Sequence, residues 1–307
     1  MKKLLIIGAS KFIGKSFIKY FDKNRNKINL ILISRKELFY KKKNKNIKII
    51  KKDFKKIKKI PECDYLIYCL RTNTKKKDDE LFKFFEKKLK KLKKKPKIIY
   101  TSSGVVYGLN NIKKKITELK RLKKNEFVGL KSYKKKWFNQ KMNLEKKFYN
   151  LSIFAYNVVI LRMFTFIGPS ILDQNYIPAV FKKKILNKNK IVIRGPLNTY
   201  RSYLDENDMV EWIIKIFKKN SKNFDIFNFG SDKAIKIYDL ATKMTNKKKI
   251  ILLNKSNKLD YYVPSIVKLK KCFNLKEKVT LNNSISKLLK VWKFQFAHLH
   301  IMKREIS

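Results

Sequence analysis

Two stretches of this chain could do chemistry. The first is Gly8-Ala9-Ser10-Lys11-Phe12-Ile13-Gly14, between an apolar run, KLLIIG, and a segment of helical periodicity, FIGKSFIKYF. Glycines at a strand-to-helix turn let the backbone approach a pyrophosphate, and the helix start offers free N–H groups and the positive end of its dipole. A dinucleotide site of this kind carries an acid about 20 residues on, for the ribose 2′-hydroxyl. The next apolar run ends instead in ISRKE, with Ser34 and Arg35 at that place. A small hydroxyl followed by arginine suits a 2′-phosphate, so NADP is expected in preference to NAD. The second stretch is SYKKKWFNQKMNLE, residues 132–145, where Tyr133, Trp137, Lys141 and Glu145 recur every fourth residue and so lie roughly along one helix face.

The elements that must position these residues are legible in the apolar pattern. KLLIIG, NLILIS, NIKIIKKDF, DYLIYCL, KIIYTSS and NVVILRMF are short, mostly continuous apolar runs, as expected of parallel strands covered on both faces. Between them, DDELFKFFEKKLKKL places Leu81, Phe84, Phe85, Leu89 and Leu92 on one helical stripe, with Asp78 or Asp79 available as its cap. Strands alternating with helices imply right-handed βαβ units and a doubly wound α/β sheet. Past about residue 167 the segments shorten and Gly168-Pro169, Pro178 and Gly195-Pro196 appear. ENDMVEWIIKIF reads as an amphipathic helix and FDIFNFG as another strand. The expected organisation is a nucleotide-binding part over 1–166 and a smaller lobe over 167–307 that exchanges elements with it.

The bulk composition bounds the remaining classes. A chain of 307 residues can bury a substantial core, and its 22 Phe and 15 Tyr argue against disorder. The net charge of +55 raises the prospect of nucleic-acid binding. However, the basic runs are spread along the chain, at 41–43, 55–56, 75–77, 93–95, 113–115, 134–136, 182–184 and 247–249. They come with abundant Asn, Ile and Phe, residues with A/T-rich codons, so compositional drift accounts for the charge. Nucleic acid is disfavoured as a partner but not excluded. Three cysteines (63, 69 and 272) without a CxxC pair suit a reducing cytoplasm. His298 and His300 form an HxH pair without acidic or Cys companions, so no metal site is expected. The apolar part of MKKLLIIGASK is too short for a leader, and LSIFAYNVVILRMFTFIGPSIL, with Asn157 and Arg162 inside it, reads as a buried strand with its flanks rather than a membrane span.

Six pieces, in order, resemble the extended short-chain dehydrogenase/reductases, the NAD-dependent epimerase/dehydratase family of nucleotide-sugar enzymes. GASKFIG resembles GxxGxxG, with Lys11 replacing the middle glycine, and KKDF resembles the segment whose acid, here Asp53, holds the adenine. YTSSGVVYG is similar to the SSxxVYG stretch ending the fifth strand, and LRMFTFIGP to RxxNxxGP, with Thr165 replacing the Asn. RSYLDENDMVEWI resembles RDFxxVxDxxxAI, and FNFGSDKAIKIYDLA resembles NxGxxxxxSxxEL.

The resemblance implies a Rossmann-type sheet with a C-terminal substrate lobe. Cofactor contacts would come from Gly8, Ser10, Lys11, Phe12, Ile13, Gly14, Ser34, Arg35, Asp53, Phe54, Leu70 and Lys141. Substrate contacts would come from Ser103, Tyr107, Thr165 and Arg201, the last at the diphosphate. Hydride transfer leaves an alkoxide unless a positioned acid or base handles the proton. The family's tyrosine does this beside a lysine four residues later, with a Ser or Thr on the reacting oxygen. Ser103 and Lys141 match two of these, while Trp137 stands where the tyrosine belongs, and an indole N–H has no useful acidity. Three arrangements remain open. Tyr133 substitutes from one turn earlier; Tyr133 is the family tyrosine in a shifted register; or the chain binds its ligands without the usual chemistry. The expected function is an NADP-dependent epimerase, dehydratase or reductase of a nucleotide-linked sugar, cytoplasmic, with a homodimer admitted. The alternatives are a catalytically silent dinucleotide-binding sensor or interaction protein, and an RNA binder on the same fold.

Overall fold

The computed structural model describes residues 1–290 except 25–26, 39, 41–43, 123, 172–175, 220–222 and 255. The His298/His300 pair and the lysine run 41–43 therefore lie outside the described residues. Seven strands build the central sheet: β1 (Lys2–Ile7), β2 (Ile28–Ser34), β3 (Ile47–Lys51), β4 (Tyr65–Tyr68), β5 (Lys97–Ser103), β6 (Val158–Met163) and β7 (Phe224–Phe229). They are all parallel, in the order β7-β6-β5-β4-β1-β2-β3. This is the Rossmann-type doubly wound sheet that the alternating pattern implies. Chain order reverses between β1 and β4, and the carboxyl ends of the strands open a crevice there.

The continuous apolar runs resolve into two sets of alternating contacts. Leu4 and Ile6, Leu30 and Leu32, Ile99, and Val159 and Leu161 face one core layer with Phe17, Phe21, Met209 and Ile213. Leu5 and Ile7, Ile31 and Ile33, Tyr100, and Val158 and Ile160 face the other with Phe82, Phe85, Leu144 and Phe148. Four helices cover these faces: α1 (Phe12–Lys23) and α4 (Glu206–Lys218) on the first, α2 (Lys75–Leu89) and α3 (Ser132–Ile153) on the second. Thus α4 and β7, far along the chain, return to the sheet. A third cluster, including Ile167, Phe181, Ile193, Tyr203, Leu240 and Leu288, gathers the short C-terminal elements.

Two local expectations need correction. The start of α2 is capped by Thr74, whose hydroxyl accepts from the Lys77 N–H at 3.2 Å, and not by Asp78 or Asp79. Asp78 instead points inward and accepts hydrogen bonds from Thr72 and Gln140. In the α2 stripe, Phe82 takes the buried place expected of Phe84, which is exposed. Phe82 and Phe85 both reach Phe148, which also stacks on Tyr100 with ring centroids 4.5 Å apart. Among the described residues no helix is long and apolar enough to cross a membrane. Phe148→Ala should lower the unfolding free energy by about 3–5 kcal/mol in urea titration, because it removes a fully buried ring shared by four aromatic neighbours.

Candidate functional site

The glycine turn closes β1 against its neighbours. Gly8 has φ +88°, and a Cβ there would lie 2.9 Å from the backbone of Cys69 and Leu70, just past β4. A Cβ on Gly14 would lie 2.0 Å from the Ala9 carbonyl oxygen, so that glycine lets α1 seat on the turn. Lys11 departs from the GxxGxxG pattern without strain, since it caps α1 in extended geometry, φ −113°. Phe12 leans on Phe166, and Ile13 packs against the first core layer, so both side chains serve packing. What the turn presents at the crevice is Ser10, Lys11 and the first backbone amides of α1.

At the ends of β2 and β3, Arg35 and Asp53 come together, 3.9 Å apart and well exposed. Asp53 also accepts from the Lys55 N–H at 2.9 Å, and Phe54 is buried against Phe85. Ser34 is buried, and its hydroxyl donates to the Lys36 carbonyl at 2.7 Å, so it shapes the turn that presents Arg35. Sequence reasoning passed over Lys15 and Lys36. The Lys15 amine is pushed below its usual range by burial and by the nearby Lys36 charge, so two further cations flank this corner. Nothing in a chain this rich in lysine marks these two.

Lys141 is buried on α3; its ammonium donates to the Thr101 carbonyl at 2.8 Å, and burial holds its pKa down to about 8. The Cys69 thiol lies beside it and is pushed up to about 12 by burial. One turn on, Glu145 accepts a bidentate pair from Arg162 on β6, at 3.1 and 2.7 Å, and a 2.5 Å bond from the Ser102 hydroxyl. Arg162 also donates to the Tyr107 hydroxyl at 2.9 Å, which donates onward to Asn228 at 2.7 Å. Tyr107, expected at the substrate, is thus buried with both hydrogen-bonding directions used. Ser103 lies at the end of β5, and its hydroxyl accepts from the Val105 N–H at 3.3 Å.

The expected proton carriers separate. Tyr133 is 62% exposed in the first turn of α3. Trp137 packs into a cluster with Val105, Tyr107, Ile116, Phe164 and Tyr262, and the Arg71 guanidinium lies 4.7 Å from its ring. Its Nε1 is buried with no hydrogen-bond partner. Tyr262 is the functional candidate that sequence reasoning missed: its hydroxyl lies against Gly104, next to Ser103.

Toward the C-terminal elements, Arg201 is held in a fork by Asp260, at 2.8 and 3.1 Å. Lys134, on α3, stands close enough to feel both charges. The Thr165 hydroxyl donates to the Ser202 carbonyl. Lys113 and Lys236 lie over the Tyr200 ring. An anionic group at Arg201 would meet cations from two separate segments, Arg201 and Lys134.

A parallel doubly wound sheet, a glycine turn at its switch point and a hydroxyl–lysine pair at β5 and α3 define a Rossmann-type protein of the short-chain dehydrogenase kind. The model of the NAD dependent epimerase/dehydratase family matches residues 4–230, and the chain belongs to that family. No curated protein sequence matches it. Among solved structures it is similar to dTDP-glucose 4,6-dehydratase from Bacillus anthracis in complex with NAD, with 14% identity, TM-score 0.75, and 95% of this chain and 97% of that one covered. It is also similar to RMD from Pseudomonas aeruginosa complexed with NADPH (15% identity, TM-score 0.73, 96% and 100% covered). UDP-N-acetylglucosamine 4-epimerase from Methanobrevibacter ruminantium shares 20% identity, with TM-score 0.71 and 96% and 99% covered. At these identities the likeness speaks for the fold.

Two substitutions probe the scaffold. Gly14→Ala should cost about 1–3 kcal/mol, read from the denaturation midpoint, because its Cβ forces α1 off the turn. Glu145→Gln should cost about 3–5 kcal/mol by the same measurement, because it leaves the Arg162 charge buried and uncompensated.

Proposed function

We propose that the protein is an NADP-preferring oxidoreductase, epimerase or dehydratase acting on a nucleotide-linked sugar. The observation that carries this reading is the convergence of Ser103 and Lys141 with the Gly8–Gly14 turn at the carboxyl ends of β1, β4 and β5, in a chain of this family. The bound nicotinamide would supply or accept the hydride. The protein's own groups do the rest. The amides at the start of α1 cradle the pyrophosphate, Asp53 meets the adenine, Lys141 meets the nicotinamide ribose, and Ser103 takes the reacting oxygen.

The part over 1–166 would hold the cofactor and the part over 167–307 the sugar nucleotide, with Arg201 at its diphosphate. Cytoplasmic location and a homodimer belong to the same reading, the latter checked by sedimentation. Trp137, at the position of the family's tyrosine, favours as a second reading a relative that binds without turnover.

The preference for NADP rests on Arg35 with Lys36 and Lys15 beside it, where a 2′-phosphate would compete with Asp53 for the guanidinium. A charge-assisted contact there is worth about 1.5–3 kcal/mol, or roughly tenfold or more in affinity. Titration by nicotinamide fluorescence should show NADPH binding that much more tightly than NADH, and Arg35→Ala should erase most of the difference. Equal affinities in the unaltered protein refute the preference. RNA or DNA binding should be weak, indifferent to sequence and lost in moderate salt, because scattered lysines contact phosphates without reading bases. Electrophoretic shift at stepped salt concentrations checks it.

A further inference from the structure

The phenols around the end of β5 differ sharply in what they are free to do. Tyr107 is locked between Arg162 and Asn228. Tyr100 is buried in the layer beneath the sheet and stacked on Phe148. Tyr133 stands exposed at the start of α3. Tyr261 instead packs on Tyr200, with centroids 5.4 Å apart and the rings tilted. Tyr262 alone among these brings its hydroxyl to Gly104, the residue after Ser103 at the end of β5. Its approach is built into the backbone, because a Cβ on Gly104 would lie 2.4 Å from the Tyr262 hydroxyl oxygen.

The strand Leu259–Tyr262 presents it rigidly. That strand pairs with Asn198–Arg201, with Tyr262 opposite Arg201, and the Arg201–Asp260 fork ties the two together. Phe164 packs on the ring at 4.7 Å, and the segment just beyond is bonded to Ile116 through Val263 and Ser265.

We propose that Tyr262 has taken over the proton-carrier role at this site, donating its phenolic proton to the sugar oxygen that Ser103 holds. The inference rests on the function proposed above and deepens it by naming the acid. In the reducing direction, a reduced nicotinamide bound at the Gly8–Gly14 turn would supply the hydride for the carbonyl carbon. The Tyr262 O–H bond breaks, a new O–H bond forms on the sugar oxygen, and the former C=O π pair ends on that oxygen. The phenolate left behind lies beneath the Arg201 guanidinium, 5.5 Å from its ring, and regains a proton from water when product leaves. Burial makes the phenol a weaker acid, while Ser103 and Arg201 pull the other way and ease the loss of its proton.

The probes are UDP- and dTDP-linked 4-keto-6-deoxyglucose with NADPH for turnover, and UDP-glucose and dTDP-glucose against free UDP and dTDP for calorimetric binding. Tyr262→Phe keeps the ring and removes one hydroxyl. The expected result is NADPH-dependent reduction by the unaltered protein that falls about 10²–10⁴-fold in kcat in the variant, with NADPH affinity unchanged. The variant should also bind the sugar nucleotide about two- to tenfold more weakly while binding the free nucleoside diphosphate equally well. A variant kcat within about threefold of the unaltered protein overturns the proposal, as does an unaltered protein that binds NADPH but reduces neither probe. Both outcomes leave the cofactor reading standing. An unaltered protein that fails to bind NADPH removes that reading and this inference together.

Discussion

The bidentate ion pair between Arg162 and Glu145 holds together the end of the molecule where β5, β6 and α3 meet. It joins the penultimate strand of the sheet to the helix that carries Lys141, and it takes in Ser102 at the end of β5. Through Tyr107 it reaches Asn228, whose side chain bonds the Ile116 and Ser265 carbonyls and whose backbone N–H meets Glu118. Three strand ends, one helix and two loops are therefore fixed relative to one another by one desolvated pair. A buried pair of this kind does little for net stability beyond what apolar residues would give, but removing one partner strands the other. Its worth lies in position: it sets the depth and rotation of α3, and so where Lys141 and residue 137 stand against Ser103.

With α3 so fixed, the Trp137 indole fills its place with apolar volume, stacked under Arg71, and its N–H finds no acceptor. Tyr262 packs against the same cluster, on a strand whose geometry is held by the Arg201–Asp260 fork. Under the proposed function, Arg201 would both anchor the diphosphate and steady the strand bearing that phenol.

The charge of the chain reads differently at the site and over the surface. Many exposed lysines merely meet exposed carboxylates, as Lys51 with Glu37 or Lys55 with Glu80, pairs worth little in water. Lys15, Lys134 and Lys141 are different: burial lowers each. Composition hides such residues among dozens of equivalents, and depth narrows the field without isolating them, since Lys88, Lys97 and Lys182 are lowered by burial too.

What the sequence determined by itself were the features carried by near neighbours. Apolar runs of the right length specify strands, the 3.6-residue stripe specifies helices, and Gly8 and Gly14 mark a turn where a Cβ has no room. These follow from local sterics and burial, so the parallel sheet and the glycine turn could be read directly. Even within one helix the reading slipped where partners decide: Thr74 rather than Asp78 caps α2, and Phe82 rather than Phe84 enters the core, because Gln140 and Phe148 arrive from a segment some sixty residues on. The site needed the tertiary structure more. Ser103 and Tyr262 are 159 positions apart, and nothing in LDYY distinguishes the tyrosine that packs on Tyr200 from the one whose hydroxyl reaches Gly104 beside Ser103. Strand pairing made that choice, since successive side chains of a strand point to opposite faces and only the register with Arg201 fixes which face meets the end of β5.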